Sequence, residues 1–168
     1  MKTYLKIADL ATMLSVVSGI LALVFFLERR VMAAALLLVF AVVFDFLDGR
    51  IARFMGQDST FGVYLDSLAD IVVFGMVPSA MLLFLERSPV TIIASVCFVC
   101  AGIYRLARFQ ITYSQPDAKK GYQGMPITLN GLFIPSLLSL AGPSVIGLVI
   151  YFFAASVAMV STFRVKKL

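Results

Sequence analysis

Asp45 and Asp48 stand three residues apart in DFLDGRIAR, and Asp66 and Asp70 stand four apart in FGVYLDSLAD. Either spacing puts both carboxylates of a pair on one face of a helix. These four are nearly half of the nine acidic side chains in the 168-residue chain. They sit in apolar surroundings, where an ionised carboxylate costs several kcal/mol unless it is paired or metal-bound. Four carboxylates meeting at one point cannot all stay ionised without counter-charge. Hard divalent cations with oxygen ligands supply it. Magnesium and manganese are the ions that usually accompany phosphates, and calcium also suits the ligand type. Zinc suits it less, because the chain contains no histidine. Two ions about 3.5–4 Å apart would form a clamp for phosphoryl transfer.

The residues around the carboxylates fit that chemistry. Gly49 and Ala52 continue the face of Asp45 and Asp48 and leave a groove that a bulky group can approach. Arg53, at its rim, could pair with a phosphate. Carboxylates, small residues and an arginine suit a nucleotide diphosphate carried by metal. A hydroxyl attacking phosphorus must lose its proton, and with no histidine present a carboxylate, Asp70 or Asp66, is the most economical base. The bland alternative is a set of buried salt bridges to Arg50, Arg53, Arg105 and Arg108. Four aspartates at two helical spacings, interleaved with small residues, favour the functional reading.

The elements that carry these residues follow from composition. Hydrophobic residues make up 61% of the chain and charged residues 14%, with a mean hydropathy of +1.01. Soluble domains run about 45–50% apolar and about 25% charged. The chain is therefore expected to be an all-α integral membrane protein, a single domain over residues 1–168. Apolar runs long enough to cross about 30 Å of hydrocarbon predict six transmembrane helices at about 10–27, 31–54, 62–85, 89–111, 125–141 and 143–163. Gly142-Pro143 divides the last two. The first run is too long for the core of a signal peptide and has no clear cleavage site. Residues 1–8, with Lys2 and Lys6, could form a short interfacial helix.

Six spans put both termini on one side. Eleven of the 14 basic residues fall there, against Arg29, Arg30 and Arg87 opposite. The positive-inside rule makes the richer side cytoplasmic, in a multi-pass cell-membrane protein. Both aspartate pairs lie near the cytoplasmic ends of consecutive, antiparallel spans, so they can converge just inside the membrane surface. The net charge of +5 then reflects topology and contact with anionic lipid or phosphate rather than nucleic acid. A cation transporter is the reading from a different class. Its site would usually lie near the midplane, at broken helices and internal repeats, and would leave Gly49 and Arg53 idle. Cys97 and Cys100 form a C-x-x-C with no further cysteine or histidine, for which buried packing is the expectation.

Asp45-x-x-Asp48-Gly49-x-x-Ala52-Arg53, eight residues, then Gly62-x-x-x-Asp66-x-x-x-Asp70 resembles the signature of the CDP-alcohol phosphotransferases at every fixed position. The resemblance implies metal-dependent transfer of a substituted phosphoryl group from a CDP-linked alcohol to an acceptor hydroxyl, with release of CMP. It implies that Asp45, Asp48, Asp66 and Asp70 hold two metal ions and that Asp70 is also the base. It further implies that Asp48, Gly49, Ala52, Arg53, Ser59 and Gly62 line the cytidine diphosphate site, and it suggests a homodimer.

The acceptor is indicated by smaller similarities. Arg105-Leu106-Ala107-Arg108-Phe109 and Gly124-Met125-Pro126-Ile127-Thr128 resemble segments of the phosphatidylserine synthase branch, as does STFGVYLDSLAD at 59–70. That branch implies L-serine as acceptor and CDP-diacylglycerol or CDP-archaeol as lipid donor. Arg105 and Arg108 share a face, and either could hold the serine carboxylate by a bidentate pair. They could equally hold the phosphate of inositol phosphate or glycerol phosphate, or serve as snorkelling anchors. Asp9, Thr12 and Ser15 give the first span a polar face at three-residue spacing. Contact with the nucleotide, orientation of a metal ligand and helix packing are its alternative uses.

Overall fold

A computed structural model describes residues 7–54, 60–113, 122–140, 143–161 and 164–165. The chain runs as α1 (Ile7–Leu27), α2 (Val31–Phe54), α3 (Thr60–Asp70), a π-helical turn (Ile71–Met76), α4 (Val77–Leu85) and α5 (Pro89–Tyr113). It continues as β1 (Tyr122–Gln123), a 3-10 turn (Ile127–Leu129), α6 (Asn130–Leu140), α7 (Val145–Val160) and β2 (Arg164–Val165). Stretches Asp9–Leu27, Val31–Ile51, Thr60–Leu85 and Pro89–Ile111 are each long and apolar enough to cross a membrane. They coincide with the first four expected spans, as an integral membrane protein requires. The remaining two apolar helices, Ile127–Leu140 and Val145–Val160, are shorter than the runs drawn from composition. Pro126 forces an extended residue and a 3-10 turn at the start of the first. Ser144 caps the second, its Oγ accepting from the Gly147 N–H at 3.3 Å. The all-helical expectation also missed a two-residue ladder, in which Tyr122 faces Val165 and Gln123 faces Arg164. The expected interfacial helix at 1–8 lies largely outside the described residues.

Local chemistry sets the helix ends. α1 closes with a Schellman turn, in which Arg30 N–H reaches the Phe25 carbonyl at 2.9 Å and Arg29 N–H the Phe26 carbonyl at 3.0 Å. Arg29 takes the left-handed conformation there, with φ 65°. α5 opens with a reciprocal cap. Thr91 N–H donates to Ser88 Oγ at 3.3 Å, and Ser88 N–H donates to Thr91 Oγ1 at 3.0 Å.

The third span is the central one, packing against α1, α5 and α6. Its π turn carries a bond from Val77 N–H to the Val72 carbonyl, five residues back. Pro78 follows at once. It has no N–H for the Phe74 carbonyl, and its ring crowds that carbonyl; widening the preceding turn relieves the clash. Ser79 Oγ bonds the next carbonyl, Gly75, at 2.9 Å. Two glycines on neighbouring helices let the turn sit close. A Cβ on Gly19 would come within 2.9 Å of Val73 Cγ1, and one on Gly131 within 2.6 Å of Phe74 Cε1. Val73, Phe74, Leu38, Ile127 and Phe152 have no exposed surface and form the centre of the core. Phe98 on α5 stacks on Phe152 of α7 at 4.2 Å between centroids. Cys97 and Cys100 depart from the buried packing expected of them. They are free and exposed, lining an apolar groove between α5 and α7 with Tyr104 and Val157.

Candidate active site

α2 and α3 bring the two aspartate pairs together. Ligand oxygens of Asp45, Asp48 and Asp66 all lie within 4.8 Å of one another. Asp45 is also within hydrogen-bonding reach of Asp70. Asp48 and Asp70 are buried, at 5% and 6% exposure, while Asp45 and Asp66 are half-buried. The pairs therefore converge as their spacings predict.

A divalent cation fits this cluster. Its donors are all carboxylate oxygens, the hard ligands such ions prefer. Asp70 Oδ1 is buried without a hydrogen-bond partner, and buried polar atoms are rarely left so. An ion held by Asp45, Asp48 and Asp66, with Asp70 beside them, would supply the missing interaction.

α1 supports the cluster from outside. Thr12 Oγ1 donates to Asp48 Oδ2 at 2.6 Å, which fixes the carboxylate's rotation. Asp9 is buried at 3% exposure and faces Asp48. Ser15 turns elsewhere, donating to the Ala41 carbonyl at 2.9 Å. It stitches α1 to α2 and belongs to packing. The polar face of the first span thus divides: Asp9 and Thr12 lie against the aspartate cluster, and Ser15 joins the helix pair.

The arginines separate as well. Arg105 is buried at 7% exposure and is a cation facing Asp45, Asp66 and Asp70. Its guanidinium also lies 5.4 Å from the centre of the Phe109 ring. Arg50 lies over Phe46 at 5.7 Å. Arg108, one turn beyond Arg105, aims its guanidinium at the end of α7, donating to the carbonyls of Met159, Val160 and Ser161. Among the described residues the arginines differ: Arg105 faces three of the aspartates, Arg50 lies over Phe46 and Arg108 donates to carbonyls at the end of α7. Gly49, beside Asp48, and Gly62, in the first turn of α3, are half-buried. Ala52 and Arg53 lie in the last turns of α2, but their side chains, like Ser59, fall outside the described residues.

Gln110 is a contributor that sequence reasoning passed over. Its Nε2 donates to Ser67 Oγ at 2.6 Å and to the Val63 carbonyl at 3.4 Å. Ser67 lies between the two aspartates of α3, so this bond ties the carboxylate-bearing turn to α5. The available signal was a lone amide five residues beyond Arg105 in an apolar helix.

Carboxylate oxygens gathered around a cation site, one orphaned carboxylate oxygen and a buried guanidinium can bind a metal-borne diphosphate beside a small anionic acceptor. A family model described as CDP-alcohol phosphatidyltransferase matches residues 5–163. The chain is 35% identical over 130 residues to a CDP-diacylglycerol–serine O-phosphatidyltransferase of Methanocaldococcus jannaschii, covering 77% of this chain and 59% of that protein. It is 30% identical over 164 residues to an archaetidylserine synthase of Methanothermobacter thermautotrophicus, covering 95% and 69%. It is 35% identical over 144 residues to a CDP-diacylglycerol–serine O-phosphatidyltransferase of Saccharomyces cerevisiae, covering 81% and 52%. The chain spans about half the length of most of these relatives.

Proposed function

Because the chain belongs to the CDP-alcohol phosphatidyltransferase family, we propose that it transfers the phosphatidyl or archaetidyl group of a CDP-linked lipid to the hydroxyl of L-serine, releasing CMP. The observation that carries this reading is the convergence of the four aspartates of α2 and α3 with buried Arg105 beside them. The printed activities of the relatives, serine phosphatidyl transfer and archaetidylserine synthesis, support serine as acceptor.

Asp45, Asp48, Asp66 and Asp70 would hold two divalent cations, magnesium or manganese, with calcium also suited to the ligands. When bound, these would neutralise the diphosphate and the charge developing on departing CMP. The protein's own groups do the rest. Gly49 leaves room for the nucleotide beside Asp48, and Ala52, Arg53, Ser59 and Gly62 complete that side. Arg105 holds the serine carboxylate. Asp70 takes the proton of the serine hydroxyl. The serine oxygen bonds to the lipid-bearing phosphorus, the bond from that phosphorus to the CMP oxygen breaks, and CMP leaves with the electron pair. Positioning and electrostatics supply most of the rate. The chain crosses the cell membrane six times, with termini and site on the cytoplasmic side, where eleven of its 14 basic residues lie.

The test is CMP release by purified protein in lipid, with CDP-diacylglycerol or CDP-archaeol and each of L-serine, inositol phosphate and glycerol phosphate. Release with serine alone is expected. Release with a phosphorylated polyol alone would reassign Arg105 to a phosphate. Divalent-cation flux without CMP release would overturn the transferase reading.

A further inference from the structure

The last four carbonyls of a helix have no partner within it, and their partial negative charge calls for a cation. The last turn of α7 contains no basic residue. Nevertheless all four carbonyls are satisfied. Val157 accepts from Ser161 N–H at 2.9 Å, and Ala158 accepts from Met125 N–H at 3.1 Å. Met159 accepts from Arg108 Nη2 at 3.3 Å and Val160 from Arg108 Nη1 at 3.1 Å. Arg108 Nη2 also reaches the Ser161 carbonyl at 3.0 Å. The missing C-terminal cation of α7 is thus lent by α5, more than 50 residues earlier in the chain.

Gly124 completes the closure. It has φ 76°, and a Cβ there would stand 2.6 Å from the Met159 carbonyl oxygen and 2.9 Å from Arg108 Nη2. The same segment pairs with the residues that follow α7, through Tyr122 and Gln123 with Val165 and Arg164. α5 is consequently gripped from two sides near the site, by Arg108 on α7 and by Gln110 on Ser67 of α3. Arg105 lies one turn before these grips.

We propose that Arg108 is a positioning residue: by closing the end of α7 onto α5 it holds Arg105 at the carboxylates, and it does not itself contact the acceptor. The role in acceptor binding rests on the transferase reading above, whereas the closure does not. It needs the planar fork of arginine, with two nitrogens on neighbouring carbonyls, which a lysine ammonium cannot reproduce. It also needs Gly124, whose replacement disturbs the closure without removing a charge.

The experiment compares Arg108→Lys, Arg108→Ala, Gly124→Ala and the double variant Arg108→Lys/Gly124→Ala in the full chain. Arg105→Ala sets the scale. In each, KM for serine, KM for CDP-lipid and kcat are measured by CMP release, and backbone hydrogen exchange is followed at Met125 and Ser161. Arg108→Lys is expected to raise the serine KM about tenfold, as much as Arg108→Ala does, with kcat and the CDP-lipid KM within about twofold. Gly124→Ala should match it, and the double variant should be no worse than either single, because both break one closure. Exchange at Met125 and Ser161 should quicken in all of them. Near-normal serine KM in Arg108→Lys, with a large rise in Arg108→Ala and none in Gly124→Ala, would overturn the proposal in favour of direct contact with the acceptor. An unchanged serine KM despite faster exchange would reduce Arg108 to a purely structural clasp and overturn it too. If the unmodified protein releases no CMP with any acceptor, the transferase reading fails. Unchanged exchange in Arg108→Lys would instead show that the closure itself is wrong.

Discussion

Each aspartate of the cluster has a distinct environment, and the differences assign separable effects. Asp70 combines a buried, unpartnered oxygen with proximity to Asp45 and Arg105. Asp70→Asn keeps the shape and removes the proposed base, so CMP release should fall by about a thousandfold or more while the melting temperature holds or rises. Substantial turnover would remove Asp70 from that role. Thr12 acts on Asp48 from outside. Thr12→Val keeps the volume and removes the 2.6 Å bond, so the apparent affinity for the divalent ion should weaken about 10–100-fold. Activity should recover at raised ion concentration; an unaltered ion dependence would leave Thr12 to packing alone. The aspartates could be picked out from sequence because helical spacing is local. Thr12 showed only as part of a polar face, since its partner lies 36 residues away. Arg105 and Arg108 looked equivalent because a shared helix face does not reveal that one guanidinium turns to carboxylates and the other to carbonyls 51–53 residues away.

At the scale of the element, the π turn bears on where Asp70 points. Asp70 is the residue immediately before it, so any rewinding of Ile71–Met76 changes the rotation of Asp70 relative to α4 and its packing. Pro78→Ala returns an N–H and removes the ring, freeing the segment to adopt regular α-helix. Because proline costs about 3 kcal/mol relative to alanine in a helix interior, this variant is expected to be as stable as the parent or more so. It should nonetheless turn over about tenfold more slowly. A stable variant with undiminished kcat would show that the widened turn does not aim Asp70. Long apolar runs made the first four helices plain in the sequence. The run of the third crossing, however, reads as a single helix through IVVFGM. Pro78 was the only local hint, and it marks a strained place without saying whether the helix kinks or widens. The fifth and sixth runs were overdrawn because composition does not register where Pro126 and Ser144 start a helix.

For the whole molecule, an ion held by the cluster would couple binding to stability. Among the described residues, four carboxylates meet one buried arginine, which faces three of them, inside an apolar fold. A bound divalent ion stabilises only the folded form, by about 2.7 kcal/mol at a hundred times its dissociation constant. Chelation should therefore abolish CMP release and lower the melting temperature in lipid. Magnesium or manganese should restore both, and Asp45→Asn/Asp66→Asn should lose most of the thermal shift. A melting temperature indifferent to chelator and ion would argue against an ion at the cluster.

The hydroxyl bond between Thr12 and Asp48 also bears on how the chain enters the bilayer. α1 and α2 are made first, and within that hairpin Asp48 already has a donor. Asp45 must wait for α3, and the cluster's cation, Arg105, is not synthesised until the fourth crossing. An aspartate at the centre of a crossing costs about 2.5–3.5 kcal/mol on the insertion scale, and less near its end. Early in biogenesis, then, Thr12 would ease α2 into lipid. In nascent chains halted before Pro89, Thr12→Val should lower the fraction of α2 that crosses, as read by glycosylation sites placed on either flank. In full-length chains, where Arg105 has arrived, the same change should matter less. Equal insertion in both lengths would detach this bond from the assembly pathway.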